Sequence, residues 1–424
     1  MKHELLSIDG VRDAVRRLPD DALTPIREAA LAHLDEHGLP TLRDEDWKYT
    51  DLGPAIDISN RWFAAGARPD TSDDIAASVD LITASIDANW LVIANGLIDD
   101  SRITIDNGLE VLRFSDSPTA VNMERPLANL NAALLRDGLR IEISATMEKP
   151  IGLLIIDSAN SAAGVSQASI EISVAPGCDA EIIEYQASTG EGDHYANSVV
   201  ALHIGQGASA SYVRLQNRGK RHVQTGRLSA TLDVDSKLIM GSYDLGGRLV
   251  RNDVDIDMSE PGAEVIFSGL YIAGDGQHID NHTKVDHRVG PTTSSQEYRG
   301  ILNGNCRCVW NGKAIVHKGA DGTDASQANH NLLLSDKAEI DTKPELEIYA
   351  DDVKCSHGTT IGQLDEAALF YLRTRGLDKR RATVILTRAF AVDIVDRIPV
   401  AAAKDAIASL VESRLADLVQ DVAP

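Results

Sequence analysis

The sequence is poor in aromatic residues, in cysteine and in positive charge. Only 4% of its 424 residues are Phe, Trp or Tyr, so small and aliphatic side chains must fill its interior, which favours a narrow, regular core over a large ligand cavity. Four cysteines are too few for the disulfide framework of a secreted scaffold. The net charge of −23 disfavours nucleic acid and anionic membrane surfaces as partners, because both bind basic patches.

Long apolar runs and several catalytic motifs are also missing. No run approaches the roughly 18 apolar residues of a membrane span. Residues 1–4 lead into a charged helical pattern rather than the apolar core of a signal peptide, so we expect a cytoplasmic protein with reduced thiols. The sequence has no P-loop, no G-x-S-x-G elbow and no H-E-x-x-H motif, which argues against ATP binding through a P-loop and against two common hydrolase mechanisms.

The segment from residue 141 to 362 consists of short strand-like runs separated by Gly, Asn, Asp and Ser. A small residue leads into an apolar strand at six places, which start at Ala180, Ala210, Lys237, Ala263, Lys313 and Ala338. If the 50-residue step is counted as two, the repeat is near 25 residues and predicts a β-solenoid with one coil per repeat. An antiparallel sandwich would also produce many short strands, so the pattern alone leaves that alternative open.

The region before the repeat, residues 1–140, is predicted to be a mixed helical domain. Two helices are expected over residues 4–37 and another over 126–136, where a proline opens the helix and a glycine follows it. Short apolar pieces at residues 90–93 and 103–105 predict strands.

The region after the repeat, residues 363–424, is predicted to hold three helices that cap the C-terminal end of the solenoid, because solenoids must hide their open edges. Two of its runs are more apolar than a cap requires, and large apolar residues with arginine at the rim are typical of protein interfaces. The candidate partner-binding residues are Leu369, Phe370, Tyr371, Leu372, Arg373 and Phe390.

The most informative motif is a thiol and an imidazole two residues apart, Cys355 and His357. In a strand, residues i and i+2 point to the same face, so the two side chains would lie side by side. Such a pair suits iron, zinc or an iron–sulfur cluster, or a nucleophile with its base. A buried Cys beside a hydrogen-bonded His is the purely structural alternative. Two ligands do not close a tetrahedral site, so a metal would need further ligands from elsewhere.

Two further groups of residues could bind a metal or be structural. His278, His282 and His287 lie with two aspartates in one short run, which predicts either a metal site or a ladder of side chains hydrogen-bonded between coils. Strand alternation places His278 and His282 on one face and His287 on the other. Cys306 and Cys308 match neither a zinc ribbon nor a C-x-x-C redox pair, and we interpret them as structural.

Eight short motifs are spread over most of the chain, at residues 46–50, 277–283, 331–335, 342–348, 355–358, 363–366, 368–373 and 388–390. Together they resemble the SufB/SufD family of the SUF iron–sulfur cluster assembly system. The resemblance is closer to the SufD branch of the family, because SufB is longer and lacks the Cys-Ser-His-Gly motif.

This resemblance implies a right-handed parallel β-helix core at residues 141–362, between an N-terminal α/β domain and a C-terminal helical domain. It implies a non-enzymatic scaffold that joins SufB and the SufC ATPase. The open edge expected around residues 345–361 predicts strand pairing with SufB or, in its absence, with a second copy of the chain. His357 would act with a Cys of SufB at the subunit interface as an iron or cluster ligand, with Cys355 in support, and the C-terminal residues named above would dock SufC. No stably bound cofactor is implied, only transient iron or a nascent cluster.

Two other functions remain open from the sequence. A β-helix carbohydrate-active enzyme would place carboxylates in a groove on the flank of the solenoid, although such enzymes are usually exported and use aromatic platforms that this chain has little means to build. A homodimeric storage or metal-carrier form of the same protein is the third hypothesis.

Overall fold

A computed structural model describes residues 5–68, 74–104, 106–118, 125–160 and 163–420 of the chain. Within these ranges, all nineteen strands belong to two long sheets, which we call sheet A and sheet B. Sheet A contains β1 (Asn89–Ala94), β2 (Leu97–Ile98), β5 (Ile151–Ser158), β7 (Asp179–Thr189), β9 (Ser209–Asn217), β11 (Lys237–Asp244), β13 (Glu264–Ala273), β15 (Thr293–Leu302), β17 (Asp324–Leu333) and β19 (Lys354–Gly362). Sheet B contains β3 (Leu109–Arg113), β4 (Leu139–Ile143), β6 (Gly164–Val174), β8 (His194–Ile204), β10 (His222–Leu232), β12 (Leu249–Met258), β14 (His278–His287), β16 (Arg307–Val316) and β18 (Glu339–Ile348).

Eight α-helices flank these sheets within the described ranges. They are α1 (Ile8–Val15), α2 (Thr24–His37), α3 (Gly53–Ala64), α4 (Asp74–Ser85), α5 (Pro126–Leu134), α6 (Glu366–Thr374), α7 (Lys379–Asp396) and α8 (Ala401–Leu418). Short 3-10 helices span Glu45–Trp47 and Asp100–Arg102. No helix in the described part of the chain is both long enough and apolar enough to cross a bilayer.

The sheets form a parallel β-solenoid. From β4 onward, consecutive strands alternate between sheet B and sheet A, and each pairs in parallel with the strand two places later. Among the strands of the described ranges, only the short pairs β1–β2 and β3–β4 are antiparallel. This pairing confirms the predicted solenoid over the sandwich alternative, because an antiparallel sandwich would pair its strands in the opposite sense.

One coil is longer than the predicted repeat. The sheet A strands from β7 to β19 begin at residues 179, 209, 237, 264, 293, 324 and 354, which are 27 to 31 residues apart. Each coil therefore contains about 30 residues and two strands. The repeat near 25 residues was wrong because one of its marker positions, Lys313, lies in the middle of β16 rather than at the start of a strand.

The lumen of the solenoid is filled by side chains stacked in register. One column in sheet A runs through Ile151, Ile182, Tyr212, Met240 and Phe267, one residue from each successive coil, and all five are buried. Burial of an aliphatic or aromatic side chain of this size contributes about 1.5–3 kcal/mol to stability. Towards the C-terminal end the same column continues with Gln296, Gln327 and His357, so its apolar character ends there.

The C-terminal helices lie along the flank of the solenoid and leave its last coil open, so the predicted end cap was wrong. Ile394 of α7 and Ile407 and Leu415 of α8 pack with outward-facing apolar residues of sheet A such as Val213 and Leu270. The hydroxyl of Tyr243 donates to the carbonyl of Ile394 at 3.2 Å. The apolar outer face of sheet A explains this placement, since it would otherwise be exposed to water.

The N-terminal region partly follows the prediction. Helices α1, α2 and α5 and strand β1 confirm the expected elements. Helices α3 and α5 pack on the outer face of sheet B, where Tyr195 and Val223 belong to the same apolar cluster, and α1 and α2 pack against these helices. Helices α3 and α4 were not predicted. Residues 103–104 are not in a strand, and residue 105 lies outside the described residues. Both sheets begin before residue 141, with β1 pairing to β5.

Candidate functional site

The last coil, formed by β18 and β19, ends the solenoid with free strand edges. Strand β18 pairs with β16, and β19 pairs with β17. Neither has a second neighbour in the described part of the chain, and Ile348 and Ile361 are exposed beside these edges. A free edge presents unpaired N–H and C=O groups that can pair with a strand of another protein.

The backbone hydrogen bonds show which residues face the free edges. The Tyr349 N–H donates to the Val316 carbonyl at 2.8 Å, and the Lys354 N–H donates to the Thr323 carbonyl at 2.9 Å. In a parallel pair, alternate residues bond the same neighbour, so the N–H groups of Ile348 on β18 and of His357 on β19 point outward. Pro344 lies at another position of β18 that faces the free edge. Because a residue there donates no N–H to β16, proline at this position costs the sheet no hydrogen bond.

Strand register places Cys355 and His357 on the lumen side of the last coil. Cys355 is level with Ala325, and His357 is level with Gln327. Ala325 and Gln327 are both buried inside the solenoid, so residues stacked on them face the same interior. We call this open end of the lumen, with Cys355 and His357 at its rim, the mouth. The two side chains therefore share one face of β19, as strand alternation predicted.

Cys355 and His357 differ in how well each side chain could bind a metal. Cys355 is half-buried, and this burial, with the charge of Asp324, raises the pKa of its thiol. The thiolate is the metal-binding form, so the thiol of the isolated chain is a weak ligand. His357 is exposed, and its ring makes no hydrogen bond to any described residue. Within those residues no group of three or more His, Cys, Asp or Glu side chains is arranged to hold a metal ion.

The three histidines of β14 contact polar side chains of the chain instead, two through hydrogen bonds and one as a close pair with a carboxylate. On the outer face, His278 Nε2 lies 2.8 Å from Thr50 Oγ1, and His282 Nε2 lies 3.1 Å from Asp280 Oδ1. His287 lies inside the lumen between the hydroxyls of Thr292 and Ser294, at 2.8 and 2.9 Å, and burial lowers its pKa to about 4. This arrangement favours the ladder interpretation over a metal site.

The outer-face network joins two motifs that are far apart in the sequence. Asp280 pairs with Arg251 at 2.6 Å and also accepts from Thr50. Arg251 in turn donates to the carbonyl of Asp46 at 2.9 Å and stacks on the ring of Trp47 at 4.4 Å. These contacts hold residues 46–50 against β12 and β14. Both motifs were noticed in the sequence, but no local signal indicates that they meet.

Asp280 is held in its charged form. Its burial alone would raise the pKa of the carboxyl, but Arg251 and His282 together hold that pKa well below its usual range. Arg251 and Asp280 each have only 1% of their side chain exposed. The network is therefore a buried ion pair, and its loss would leave an uncompensated charge.

The C-x-C pair lies in the lumen. Cys306 and Cys308 are both buried in the main core cluster, and all four cysteines of the chain are free thiols. Burial, with the neighbouring Cys306, raises the pKa of the Cys308 thiol well above its usual value. Two inaccessible thiols in an apolar core suit packing better than chemistry.

The candidate partner-binding residues divide into two sets. On α6, Phe370 is 70% and Tyr371 57% exposed, and Leu369 and Leu372 are half-buried. No residue of α6 is fully buried, although the helix contacts α7, so most of the surface of Phe370 and Tyr371 stays uncovered in the described chain. The sixth residue, Phe390 on α7, packs against sheet A, and the Arg299 guanidinium lies 5.4 Å from its ring centre. Phe390 is therefore partly buried within the chain, whereas Phe370 and Tyr371 of α6 remain mostly exposed.

Comparison with known proteins connects this geometry to a family. Residues 155–390 match the family described as "SUF system FeS cluster assembly, SufBD core domain". The chain is 27% identical over 399 residues to the iron-sulfur cluster assembly protein SufD of Escherichia coli (strain K12), an alignment that covers 92% of this chain and 93% of that protein. It is 31% identical over 424 residues to an iron-sulfur cluster assembly SufBD family protein of Synechocystis sp., covering 93% and 92%. The SufD of Bacillus subtilis (strain 168) is 25% identical over 302 residues, covering 69% and 67%.

Proposed function

The chain belongs to the SufBD family of SUF-system iron–sulfur cluster assembly proteins, and we propose that it is a non-enzymatic, SufD-type scaffold subunit that joins SufB and the SufC ATPase. This membership confirms the resemblance carried by the short motifs and favours the scaffold over a carbohydrate-active enzyme. The observation that carries the proposal is the mouth: an unpaired terminal coil with a thiol and an imidazole on its lumen side.

SufB would bind by adding strands to β18 and β19. Their outward N–H and C=O groups offer main-chain hydrogen bonds over two edges at once, which is the physical basis of recognition by strand addition. The exposed Ile348 and Ile361 would be covered in the same step. A second copy of the chain presents the same edges, so a homodimer would form by the same means when SufB is absent.

At that interface His357 would supply one ligand to iron or to a nascent cluster, which is the cargo of the complex. A neutral imidazole binds iron through one ring nitrogen, and the ring of His357 has no competing partner in the described chain. Cys355 is the supporting residue, because the raised pKa of its thiol disfavours the thiolate until a metal is present. The remaining ligands would come from SufB.

SufC would dock on α6. Phe370 and Tyr371 form an exposed apolar surface next to the exposed Arg373, a combination typical of interface anchors. Because this chain has no P-loop, ATP hydrolysis would take place on SufC.

Reconstitution of the complex tests the ligand role. Wild-type chain and the variants His357→Ala, Cys355→Ser and His203→Ala would each be assembled with SufB and SufC and supplied with iron and a sulfur source. His203 is an exposed histidine of β8, far from the mouth, and serves as the matched control. Iron and acid-labile sulfide per complex should fall in His357→Ala, fall less in Cys355→Ser and stay at the wild-type level in His203→Ala. A His357→Ala complex that fills normally would refute the ligand role.

A further inference from the structure

Beneath the mouth lies a buried side chain whose polar atoms have no partner. Gln327 of β17 is only 3% exposed. Neither its amide oxygen nor its amide nitrogen makes a hydrogen bond to any described residue. Buried amides are stable when their oxygen and nitrogen are hydrogen-bonded, so the side chains that lie beside Gln327 are its candidate partners.

The other lumen amides of the same strand are fully engaged. The Asn329 side-chain N–H donates to the Tyr271 hydroxyl at 3.1 Å, and its oxygen accepts from Thr342 at 2.8 Å and from Asn331 at 2.6 Å. The oxygen of Asn331 accepts from Tyr271. Among the lumen-facing amides of β17, Gln327 is therefore the one whose oxygen and nitrogen are both unpaired within the described residues.

Register identifies the nearest candidate partner. Gln327 is level with His357 in the next coil, and adjacent strands are about 4.8 Å apart. One coil further in, the oxygen of Gln296 accepts from Thr283 at 2.6 Å and keeps a second lone pair for the N–H group of Gln327. A Gln327 amide that donates inward to Gln296 presents its oxygen outward to the His357 ring.

We propose that Gln327 is the positioning residue of His357. When the His357 ring turns inward, the amide oxygen of Gln327 accepts the N–H of one ring nitrogen, which fixes the tautomer and the orientation of the ring and leaves the lone pair of the other nitrogen free for iron. This is the arrangement by which a second group orients a metal-binding histidine. The inference rests on the proposed ligand role of His357 and adds the residue that prepares it.

The first test measures the tautomer in the metal-free protein. Histidine labelled with ¹³C and ¹⁵N would be introduced into the full chain, and the signals of His357 would be assigned by their loss in His357→Ala. Wild type should show one dominant tautomer. Gln327→Leu, which has no acceptor, and Gln327→Met, which has only a weak one, should shift the ring nitrogens towards the tautomer mixture of an unpaired imidazole, whereas Gln327→Glu, which keeps an oxygen, should restore the wild-type tautomer.

A matched control comes from the other end of the solenoid. Gln167 of β6 is 5% exposed, and its amide also lacks any partner among the described residues. Gln167→Leu makes the same chemical change far from the mouth and should leave the His357 signals unchanged. Identical His357 tautomers in wild type, Gln327→Leu and Gln327→Met would overturn the proposal, as would an equal shift in Gln167→Leu.

The second test measures iron in the assembled complex and separates the two proposals. Loss of an orienting partner typically lowers metal affinity about 10- to 100-fold, so Gln327→Leu should weaken Fe²⁺ binding by that factor relative to Gln167→Leu. If His357→Ala loses iron but the Gln327 variants bind it normally, the ligand role stands and the positioning role fails. If His357→Ala keeps its iron, the ligand role fails, and the tautomer measurement still decides whether Gln327 contacts the ring.

Discussion

Replacing Arg251 by methionine should release residues 46–50 from the outer face of sheet B. Methionine keeps much of the apolar stem but removes the charge that pairs with Asp280 at 2.6 Å, with both side chains 1% exposed. Removing one partner of a buried ion pair costs about 3–5 kcal/mol, because the other charge is left uncompensated. Loss of the guanidinium stacked on Trp47 adds about 0.5–1 kcal/mol.

The assay combines urea unfolding at pH 7, followed by circular dichroism, with hydrogen–deuterium exchange of peptides that cover residues 41–52. The control is Arg288→Met. Arg288 pairs with Asp257 on the same side of the solenoid at 2.6 Å, but both side chains are far more exposed, so its loss should cost at most about 1 kcal/mol. Exchange of residues 41–52 should accelerate in Arg251→Met and remain unchanged in Arg288→Met.

A double variant isolates the pair itself. Asp280→Asn removes the charge that Arg251 compensates, so Arg251→Met should be less damaging in the Asp280→Asn background than in wild type. The reasoning would be refuted by a cost below about 1 kcal/mol for Arg251→Met at pH 7. Equal costs in the two backgrounds would show that the charge of Asp280 does not determine the stability of this network.

Three further predictions concern the free edges, α6 and pH. Ile348→Pro removes an N–H that faces the free edge of β18, so SufB binding or homodimerisation, measured by light scattering, should weaken while far-ultraviolet circular dichroism is unchanged. Glu347→Pro removes an N–H bonded to β16 and should instead destabilise the last coil; equal effects of the two variants would contradict the assigned edge. Phe370→Asp should abolish SufC pull-down, whereas Leu81→Asp on α4, which is 75% exposed, should not, and undiminished binding by Phe370→Asp would place the SufC site elsewhere. Because the folded-state pKa of Asp280 lies below its unfolded value of about 3.9, the stabilisation from this carboxylate is present above pH 4 and is lost as the pH falls through the folded-state pKa. Asp280→Asn should therefore show a smaller loss of stability between pH 5 and pH 2 than wild type, and parallel pH profiles would contradict this origin.

Features that depend only on the spacing of residues along a strand could be predicted from the sequence. Strand alternation placed Cys355 and His357 on one face, and it placed His287 opposite His278 and His282, because side-chain direction in a strand depends only on sequence spacing. The short apolar runs predicted the solenoid because each coil repeats the same pattern of turn and strand. The length of a coil was misjudged because turn residues mark both strands of a coil, and nothing local distinguishes one from the other.

Contacts between distant segments could not be predicted in the same way. The bond from Thr50 to Asp280 joins residues 230 positions apart, and the apolar stripe of α7 fits the flank of sheet A as well as it would fit an end cap. The unpaired amide of Gln327 is likewise invisible in the sequence, since its state depends on which residues of the neighbouring coils reach it. The residues aligned with Gln327 do give one indication of a polar site. They are apolar in the coils up to Phe267 and become Gln296, Gln327 and His357 in the last three coils.

The open last coil also determines how the chain unfolds. In a stacked array, stability is close to a sum of terms for each unit and for each junction with its neighbours, so a unit with one neighbour lacks half of its junction energy. The coil of β18 and β19 has such a single junction in the free chain, and fraying should begin there. In the proposed complex, SufB would convert this terminal unit into an internal one. Subunit association would then be equivalent to elongation of a one-dimensional array, and the free energy that holds the two chains together would also order the strand that carries Cys355 and His357.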